Sequence, residues 1–304
     1  MARIFNFSAG PSTLPLPVLE QVRDEMVDYH DSGMSLIESS HRGPEYSEVH
    51  EQAGSLMKEL LGLGENYKVM FIQGGATMQF SMIAHNLLSG GRQADYTLTG
   101  TWSKKAIADA KLLGNINLVY DGSADDFMTL PAAADVKTNP GAEFLHLTSN
   151  ETIGGVQWHE WPDVDVPIVC DMSSDFLSRK LPIEKFGLIY AGAQKNLGPA
   201  GMAIAIMRDD LLAKCNRDLT AYLRYDIHAD KDSLYNTPPC FAIYLVGQTL
   251  QWVQRQGGLA AMQKRNQAKA DQIYGVIDDN PDFFRAPVQV QSRSLMNAVF
   301  RLPE

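Results

Sequence analysis

A lysine stands between two apolar stretches in the second half of the sequence. Residues 188–193 (LIYAGA) and 202–207 (MAIAIM) have the composition of buried strands, and Lys195 lies in the segment that joins them, close to Gly198-Pro199. A neutral lysine amine forms imines with carbonyl compounds, but its ordinary pKa of ~10.4 keeps it protonated at neutral pH. Lys195 is therefore a candidate for covalent attachment of a carbonyl compound if its surroundings favour the free amine. The alternative is a solvated loop residue.

A glycine pair follows an earlier predicted strand. Gly74 and Gly75 come after the apolar run 68–72 (KVMFI), and Ala76 and Thr77 follow them at the start of a predicted helix. Glycine lets backbone amides approach an anion, and the first turn of a helix presents unpaired N–H groups. The segment is a candidate phosphate cradle, although a tight strand–helix turn would leave the same pattern.

Three further side chains follow predicted strands and could contact a flat ligand. Trp102 offers a ring for stacking, Thr152 a hydroxyl group, and Asp171 a carboxylate at the end of the run 167–171 (PIVCD). A carboxylate with apolar neighbours needs a partner, and a protonated ring nitrogen would serve. Ordinary alternatives are core packing for Trp102, a local cap for Thr152, and backbone or arginine pairing for Asp171.

Strands and helices alternate along the chain, and this alternation places the candidates together. Seven short apolar runs are predicted as strands: 68–72, 96–100, 116–120, 143–149, 167–171, 188–193 and 202–207. Helical stretches such as 79–88 and 104–113 separate several of them, which is typical of an α/β domain with a mainly parallel, buried sheet. Ligands of such sheets bind at the carboxyl ends of the strands, so we expect the candidates to converge there.

The pattern predicts three parts of the chain. Residues 1–15 form an extended N-terminal arm, because prolines interrupt any helix there. We expect this arm to pack on the small domain. Residues 16–257 form a large domain, and residues 258–304 form the smaller α+β domain after a Gly-Gly break.

Helical spacing and glycines place the elements outside the sheet. A first helix is predicted from Pro17 to the region of Gly33, and a second at 45–61. Further helices are predicted at 242–256 and 259–279, and a last strand-like stretch at 294–302.

Composition excludes several classes of function. The formal net charge of −10 argues against nucleic acid or an anionic membrane as the main partner, because both attract basic surfaces. Three scattered cysteines without metal-ligand spacing predict reduced thiols in a cytoplasmic protein. No run approaches the ~20 apolar residues of a membrane span, and the N-terminus lacks the apolar core of a secretory signal.

The ordered set of features resembles the pyridoxal-phosphate (PLP)-dependent aminotransferases of fold type I, in the class V family. The motifs that carry the resemblance span essentially the whole chain: FNFSAGPSTLP, SLIESSHRGPEY, QGGATMQF, TGTWSKKA, SNETIGG, CDMSSDFLSR, YAGAQKNLGPAG and YNTPPCFAIY. The resemblance implies the PLP-transferase fold, with a mainly parallel sheet flanked by helices in a large domain plus a smaller domain.

The resemblance also implies a reaction. In the branch that the chain resembles most closely, an amino group moves between glutamate and 3-phosphohydroxypyruvate, giving O-phospho-L-serine and 2-oxoglutarate in serine biosynthesis. Some bacterial members also handle a phosphorylated hydroxythreonine in pyridoxine biosynthesis.

Cofactor contacts are implied at matching positions. Lys195 would bind PLP covalently and act as base and acid, and Asp171 would pair with the pyridine nitrogen. Trp102 would stack on the ring, and Thr152 would lie at the ring hydroxyl. The residues implied at the cofactor phosphate are Ala76, Thr77 and Gln194.

Four residues are implied in contacts beyond a single cofactor site. Asn236 and Thr237 would reach the cofactor phosphate of the neighbouring subunit, so the active site needs a homodimer. His41 and Arg42 would lie at the substrate anions, although by themselves they are typical of a surface loop. No metal is implied.

Other functions stay open. They are another class V activity, such as a cysteine desulfurase or a serine–glyoxylate type transaminase, and a PLP-binding protein with impaired catalysis. A Rossmann NAD enzyme would need a glycine fingerprint that the sequence lacks. Family members normally continue for several tens of residues past position 304 and supply an arginine for the substrate α-carboxylate there. We therefore expect a complete cofactor set and an incomplete substrate set.

Overall fold

One sheet organises the computed structural model, which describes residues 3–303. Its strands are β1 (Tyr67–Gln73), β2 (Gln93–Leu98), β3 (Asn115–Asp121), β4 (Leu145–Thr148), β5 (Ile168–Asp171), β6 (Phe186–Gly192) and β7 (Met202–Arg208). They lie side by side in the order β1-β7-β6-β5-β4-β2-β3. All seven predicted strands are present. The second ends before Thr99 and Gly100, which were included in the predicted run but form the turn into the next helix.

Strand direction brings the candidate residues to one edge of the sheet. Four neighbouring pairs are parallel, namely β2–β3, β2–β4, β4–β5 and β5–β6, whereas β7 runs antiparallel to both β1 and β6. The prediction of a mainly parallel sheet is confirmed. Because β7 alone is reversed, the carboxyl ends of the other strands point to the same side.

Helices cover both faces of the sheet. The α-helices of the described range are α1 (Leu16–Asp24), α2 (Pro44–Leu61), α3 (Gly75–Leu87), α4 (Thr101–Ala110), α5 (Asp209–Leu212), α6 (Tyr225–Asp230), α7 (Cys240–Arg255) and α8 (Gly258–Asp278). Successive residues of a strand point to opposite faces of the sheet and pack in two separate hydrophobic cores. Leu147 and Cys170 pack in the core that includes residues of α2 and α7, whereas Val169 packs with residues of α3 and α4. Such double burial explains why central strands such as β6 and β7 are apolar at nearly every position.

The first helix is shorter than predicted. It ends at Asp24, and the chain then turns, with His30 and Asp31 at positive φ and the Tyr29 amide bonded to the Met34 carbonyl at 2.9 Å. Tyr29 is nevertheless buried. Its apolar side chain, which suggested a longer helix, packs in the core from a turn instead.

The prediction of a strand at 294–302 is wrong. The described part of this stretch forms a single bridge residue, Arg301, which pairs with Arg285. A strand needs a neighbour along its length. Here Ser294 instead bonds the loop after β4, because its amide donates to the Gly155 carbonyl at 2.8 Å and its hydroxyl donates to Asn150 Oδ1.

A buried histidine lies beneath the sheet edge. His146 on β4 stacks on Tyr96 at a centroid distance of 4.6 Å, and its Nε2 lies 2.8 Å from the Tyr190 hydroxyl on β6. Burial lowers the pKa of His146 from 6.5 to about 3. The imidazole is therefore neutral in the folded protein at neutral pH.

We expect this histidine to make the protein less stable in acid. Between pH 6.5 and about pH 3 the unfolded chain binds a proton at His146 and the folded chain does not. The free energy of unfolding should then fall with decreasing pH by about 1.4 kcal/mol per pH unit for this one group. Urea unfolding near pH 7 and near pH 5 measures the loss, which should be smaller in His146→Gln. The exposed His30→Gln is the control, and equal losses in all three proteins would contradict the prediction.

No helix within residues 3–303 is both long and apolar enough to cross a membrane. Within the same range, no group of three or more histidine, cysteine, aspartate or glutamate residues is arranged to hold a metal ion.

Candidate active site

A cavity of about 170 Å³ lies where the carboxyl ends of β1, β5 and β6 meet the start of α4. The residues that line it are Gly74, Gly75, Ala76, Thr77, Trp102, Asp171, Ser173, Gln194, Lys195 and Gly201. Candidates from four separate segments of the sequence thus share one small space.

The Lys195 side chain crosses this space. Its Nζ donates a hydrogen bond to Oγ1 of Thr152 and lies 4.8 Å from the centroid of the Trp102 ring. Burial lowers the pKa of Lys195, and this outweighs the opposing effect of nearby carboxylates, first among them Asp171. At a given pH, a larger fraction of Lys195 therefore carries the unprotonated amine than would an exposed lysine.

Asp171 is held at the end of β5 by its neighbour Ser173. One carboxylate oxygen, Oδ1, accepts hydrogen bonds from the Ser173 amide at 2.9 Å and from the Ser173 hydroxyl at 2.6 Å. The Gly192 amide in turn donates to Ser173 Oγ at 2.9 Å, which ties the arrangement to β6. Burial raises the pKa of Asp171, while Ser173 and Lys195 counteract the rise. Within residues 3–303 the carboxylate forms no salt bridge, so a cation from a ligand would stabilise its charge.

The start of α3 forms the opposite wall. Gly74 has φ of 99°, a left-handed conformation, and a Cβ there would lie 2.7 Å from Cβ of Met78. The turn lets α3 begin at Gly75 with Ala76 and Thr77 facing the cavity. The first amides of a helix have no partner within it and are suited to an anion.

Beside this helix start, Gln194 brings an uncommitted amide group. Its Oε1 is buried without a hydrogen-bond partner among the described residues. Gly192 allows the approach, since a Cβ there would lie 3.0 Å from Gln194 Oε1 and 3.4 Å from the Ala76 amide nitrogen. The amide group is therefore available to a ligand.

Trp102 is positioned by a buried glutamate. The Glu151 carboxylate accepts hydrogen bonds from the Trp102 amide at 2.9 Å and the Ser103 amide at 2.8 Å, and so caps α4. Gly100 makes room for it, because a Cβ there would lie 2.7 Å from Glu151 Cδ. A carboxylate at a helix N-terminus is favourable, and it holds the indole ring next to Lys195.

Comparison with known sequences identifies the family. Residues 4–303 match the family described as aminotransferase class-V. The chain belongs to the class-V aminotransferase family. Among its relatives, the phosphoserine aminotransferase of Lysinibacillus sphaericus is 48% identical over 303 residues, which are 99% of this chain and 84% of that protein. The phosphoserine aminotransferase of Laribacter hongkongensis is 49% identical over 299 residues, covering 98% of this chain and 83% of that protein.

Solved structures of class-V aminotransferases have the same fold. A phosphoserine aminotransferase from Bacillus circulans subsp. alkalophilus superimposes with a TM-score of 0.97 at 48% identity, over 99% of this chain and 84% of that one. A PLP-bound phosphoserine aminotransferase from Trichomonas vaginalis superimposes with a TM-score of 0.94 at 40% identity, over 99% of this chain and 89% of that one. The predicted fold class is confirmed.

Five of the predicted site residues of this class-V aminotransferase do not line the cavity: His41, Arg42, Thr152, Asn236 and Thr237. Thr152 nevertheless meets the site through its hydrogen bond with Lys195. Arg42 is exposed on the loop before α2. The Thr237 carbonyl accepts a hydrogen bond from the Gln73 side chain at 3.1 Å, so that loop reaches the end of β1. Contacts of Asn236 and Thr237 with a neighbouring subunit, and of His41 and Arg42 with substrate anions, stay predictions.

Sequence reasoning missed two residues that position the others. Ser173 could have been found, because a serine two residues after an aspartate commonly bonds the aspartate locally. Glu151 gave no such signal. Its role depends on burial next to the N-terminus of a helix 48 residues earlier in the chain.

Proposed function

We propose that this class-V aminotransferase uses PLP to move an amino group between glutamate and 3-phosphohydroxypyruvate, with O-phospho-L-serine and 2-oxoglutarate as the other pair. One observation carries the proposal: a half-buried lysine, an aromatic ring, a buried carboxylate and a helix N-terminus line a single cavity. The phosphoserine aminotransferases at 48–49% identity support the substrates, and the PLP-bound relative supports the cofactor.

The residues of the cavity fit PLP. Its phosphate dianion suits the helix start at Ala76 and Thr77. Gln194 lines the same cavity and would donate to the phosphate from its amide nitrogen. Its flat ring suits the face of Trp102. Its protonated pyridine nitrogen suits Asp171, a buried carboxylate that forms no salt bridge within residues 3–303.

Lys195 has two tasks in this proposal. When bound, PLP supplies the electron sink for negative charge at the substrate α-carbon. Lys195 would hold the cofactor through Nζ, and the same atom, as a free amine, would take up and return a proton. A positioned base contributes about 10²–10⁴-fold to the rate. Burial favours the unprotonated amine, and Thr152 Oγ1 orients it.

Substrate recognition requires local positive charge. Each of the four substrates carries two anionic groups, either two carboxylates or a carboxylate and a phosphate. The net charge of the chain, by contrast, is −10. The exposed guanidinium of Arg42 has a planar fork that matches carboxylate and phosphate. We place Arg42 and His41 at the substrate anions, and Asn236 and Thr237 at the neighbouring subunit's cofactor phosphate. The proposed active form is therefore a homodimer.

We expect Arg42→Ala to raise KM for glutamate and for the phosphorylated substrate by about 10–100-fold, the worth of a charged hydrogen bond. The visible spectrum of the bound cofactor should not change, because Arg42 does not line the cofactor cavity. Steady-state kinetics and absorbance measure both effects. Arg23→Ala, at an exposed arginine on α1, is the control. A changed spectrum with unchanged KM would contradict the role.

The proposed function is tested by the visible absorbance of the purified chain with PLP, before and after adding glutamate or O-phospho-L-serine. A yellow band that both amino donors convert to the amino form of the cofactor supports the proposal. Conversion by neither donor contradicts it as a function of this chain. Absence of any band with excess PLP contradicts the cofactor assignment.

Cysteine desulfurization is disfavoured. Such an enzyme needs a mobile, exposed thiol as nucleophile. Cys170 is completely buried with a raised pKa, and burial raises the pKa of Cys215 to about 12. Cys240 begins α7, half-buried, and burial raises its pKa too.

Two further expectations stay predictions. They are the step on phosphorylated hydroxythreonine and a cytoplasmic location. The three cysteines are free thiols, which supports the second.

A further inference from the structure

The N-terminal arm touches the lysine of the proposed active site. The Ser12 amide donates to the Gln194 carbonyl at 2.9 Å, and the Ser12 hydroxyl donates to the Lys195 carbonyl. Within the described range Ser12 is the partner of both carbonyls. The backbone amides of the turn that follows Lys195 do not bond these two carbonyls, since the Leu197 and Gly198 amides both donate to the Ala193 carbonyl.

Gly10 touches the same lysine along its side chain. A Cβ at Gly10 would lie 3.1 Å from Lys195 Cγ, 3.8 Å from Cε and 3.9 Å from Cδ. The φ of Gly10 lies outside the left-handed region, so the backbone itself would accept a side chain. The tight contact is the one with Lys195 Cγ, so a side chain at Gly10 would require the Lys195 stem to shift by a few tenths of an ångström.

The arm therefore bounds Lys195 on a side that the cavity does not. Thr152 and Trp102 contact the amine end of Lys195. Gly10 packs against the methylene groups of its side chain, and Ser12 bonds its backbone carbonyl. A free lysine side chain loses rotamer entropy when it is held, and reacting groups must be held in a narrow range of positions. α1 anchors the arm, because its Val18 side chain is buried only a few residues further on.

We infer that the segment Gly10–Ser12 is a positioning element for Lys195, with Ser12 fixing its backbone and Gly10 confining its side chain. The inference rests on the proposed function, in which the Lys195 amine condenses with the aldehyde of PLP and releases one water. Neither residue touches the reacting atoms. Each acts through Lys195.

The test measures how Lys195 reacts, apart from turnover. Apo protein is mixed with PLP, the rate at which the visible band forms is followed, and the pKa of that band is then titrated. We expect Ser12→Ala and Gly10→Ala each to slow band formation by about 10-fold and to shift the band pKa. Loss of the Ser12 hydroxyl lets the amine sample more positions, whereas a methyl group at Gly10 pushes the Lys195 stem out of its position. Ser12→Thr keeps a hydroxyl and should restore most of the rate.

The matched control is Thr13→Ala. The Thr13 hydroxyl donates to the Asn6 carbonyl at 2.9 Å, so this variant removes a bond of the same arm that does not involve Lys195. It should retain the wild-type rate and band pKa, and circular dichroism confirms that each variant is folded. If either Ser12→Ala or Gly10→Ala behaves like Thr13→Ala, the inference is wrong. If the wild-type protein forms no band, the proposed function fails instead.

Discussion

Replacing Lys195 with alanine should abolish the visible band of the protein–PLP complex and lower transamination by more than about 10⁴-fold. A positioned base alone is worth about 10²–10⁴-fold, and this residue also carries the covalent link to the cofactor. Absorbance after addition of PLP measures the link. Single-turnover conversion of glutamate measures the proton transfer.

Two variants separate covalent attachment from charge. Lys195→Arg keeps a cation but has no amine that forms an imine at neutral pH, so it should fail as completely as the alanine variant. Lys105→Ala removes another lysine next to the same indole, since its Nζ lies 4.6 Å from the Trp102 ring centroid. Lys105 is exposed, and its loss should leave the band in place. A normal band in Lys195→Ala would refute the assignment.

Removing the carboxylate of Asp171 should weaken PLP binding and slow turnover together. In the proposed complex this buried carboxylate has the pyridine nitrogen as its cationic partner, and breaking a buried pair costs about 3–5 kcal/mol. That energy corresponds to a factor of about 10²–10³ or more, divided between cofactor affinity and rate. Titration of apo Asp171→Ala with PLP, followed by kinetics at saturating cofactor, measures both parts.

Asp171→Asn and Ser173→Ala should reduce PLP binding and turnover by different amounts. The amide keeps the shape but not the charge, so Asp171→Asn should lose most of what the alanine variant loses. Ser173→Ala keeps the charge but removes the 2.6 Å hydroxyl bond, which raises the pKa of Asp171 further and should cost less. Near-normal activity of Asp171→Ala would show that the carboxylate is structural only.

Much of the sheet could be predicted because its central strands are buried on both faces. Strands such as β6 and β7 are apolar at nearly every position, and that signal lies within a few consecutive residues. The predictions failed where apolar residues serve irregular structure. Tyr29 packs from a turn rather than from a helix, and the stretch at 294–302 bonds a loop rather than a strand.

The sequence by itself determined the kinds of chemical group available and their order on the strands. Lys195, Asp171 and the glycines before α3 follow apolar runs, and the topology of a mainly parallel sheet requires such positions to meet. These inferences need only local pattern and a general rule of sheet geometry.

Only the tertiary structure decided how these groups are tuned and held. Lys195 bonds Thr152, 43 residues away, and Ser12, 183 residues away, while Glu151 caps α4 from a distant strand end. Burial lowers the pKa of the Lys195 amine. Desolvation and hydrogen bonds between remote segments depend on the packed arrangement of the whole chain, and no local spacing records them.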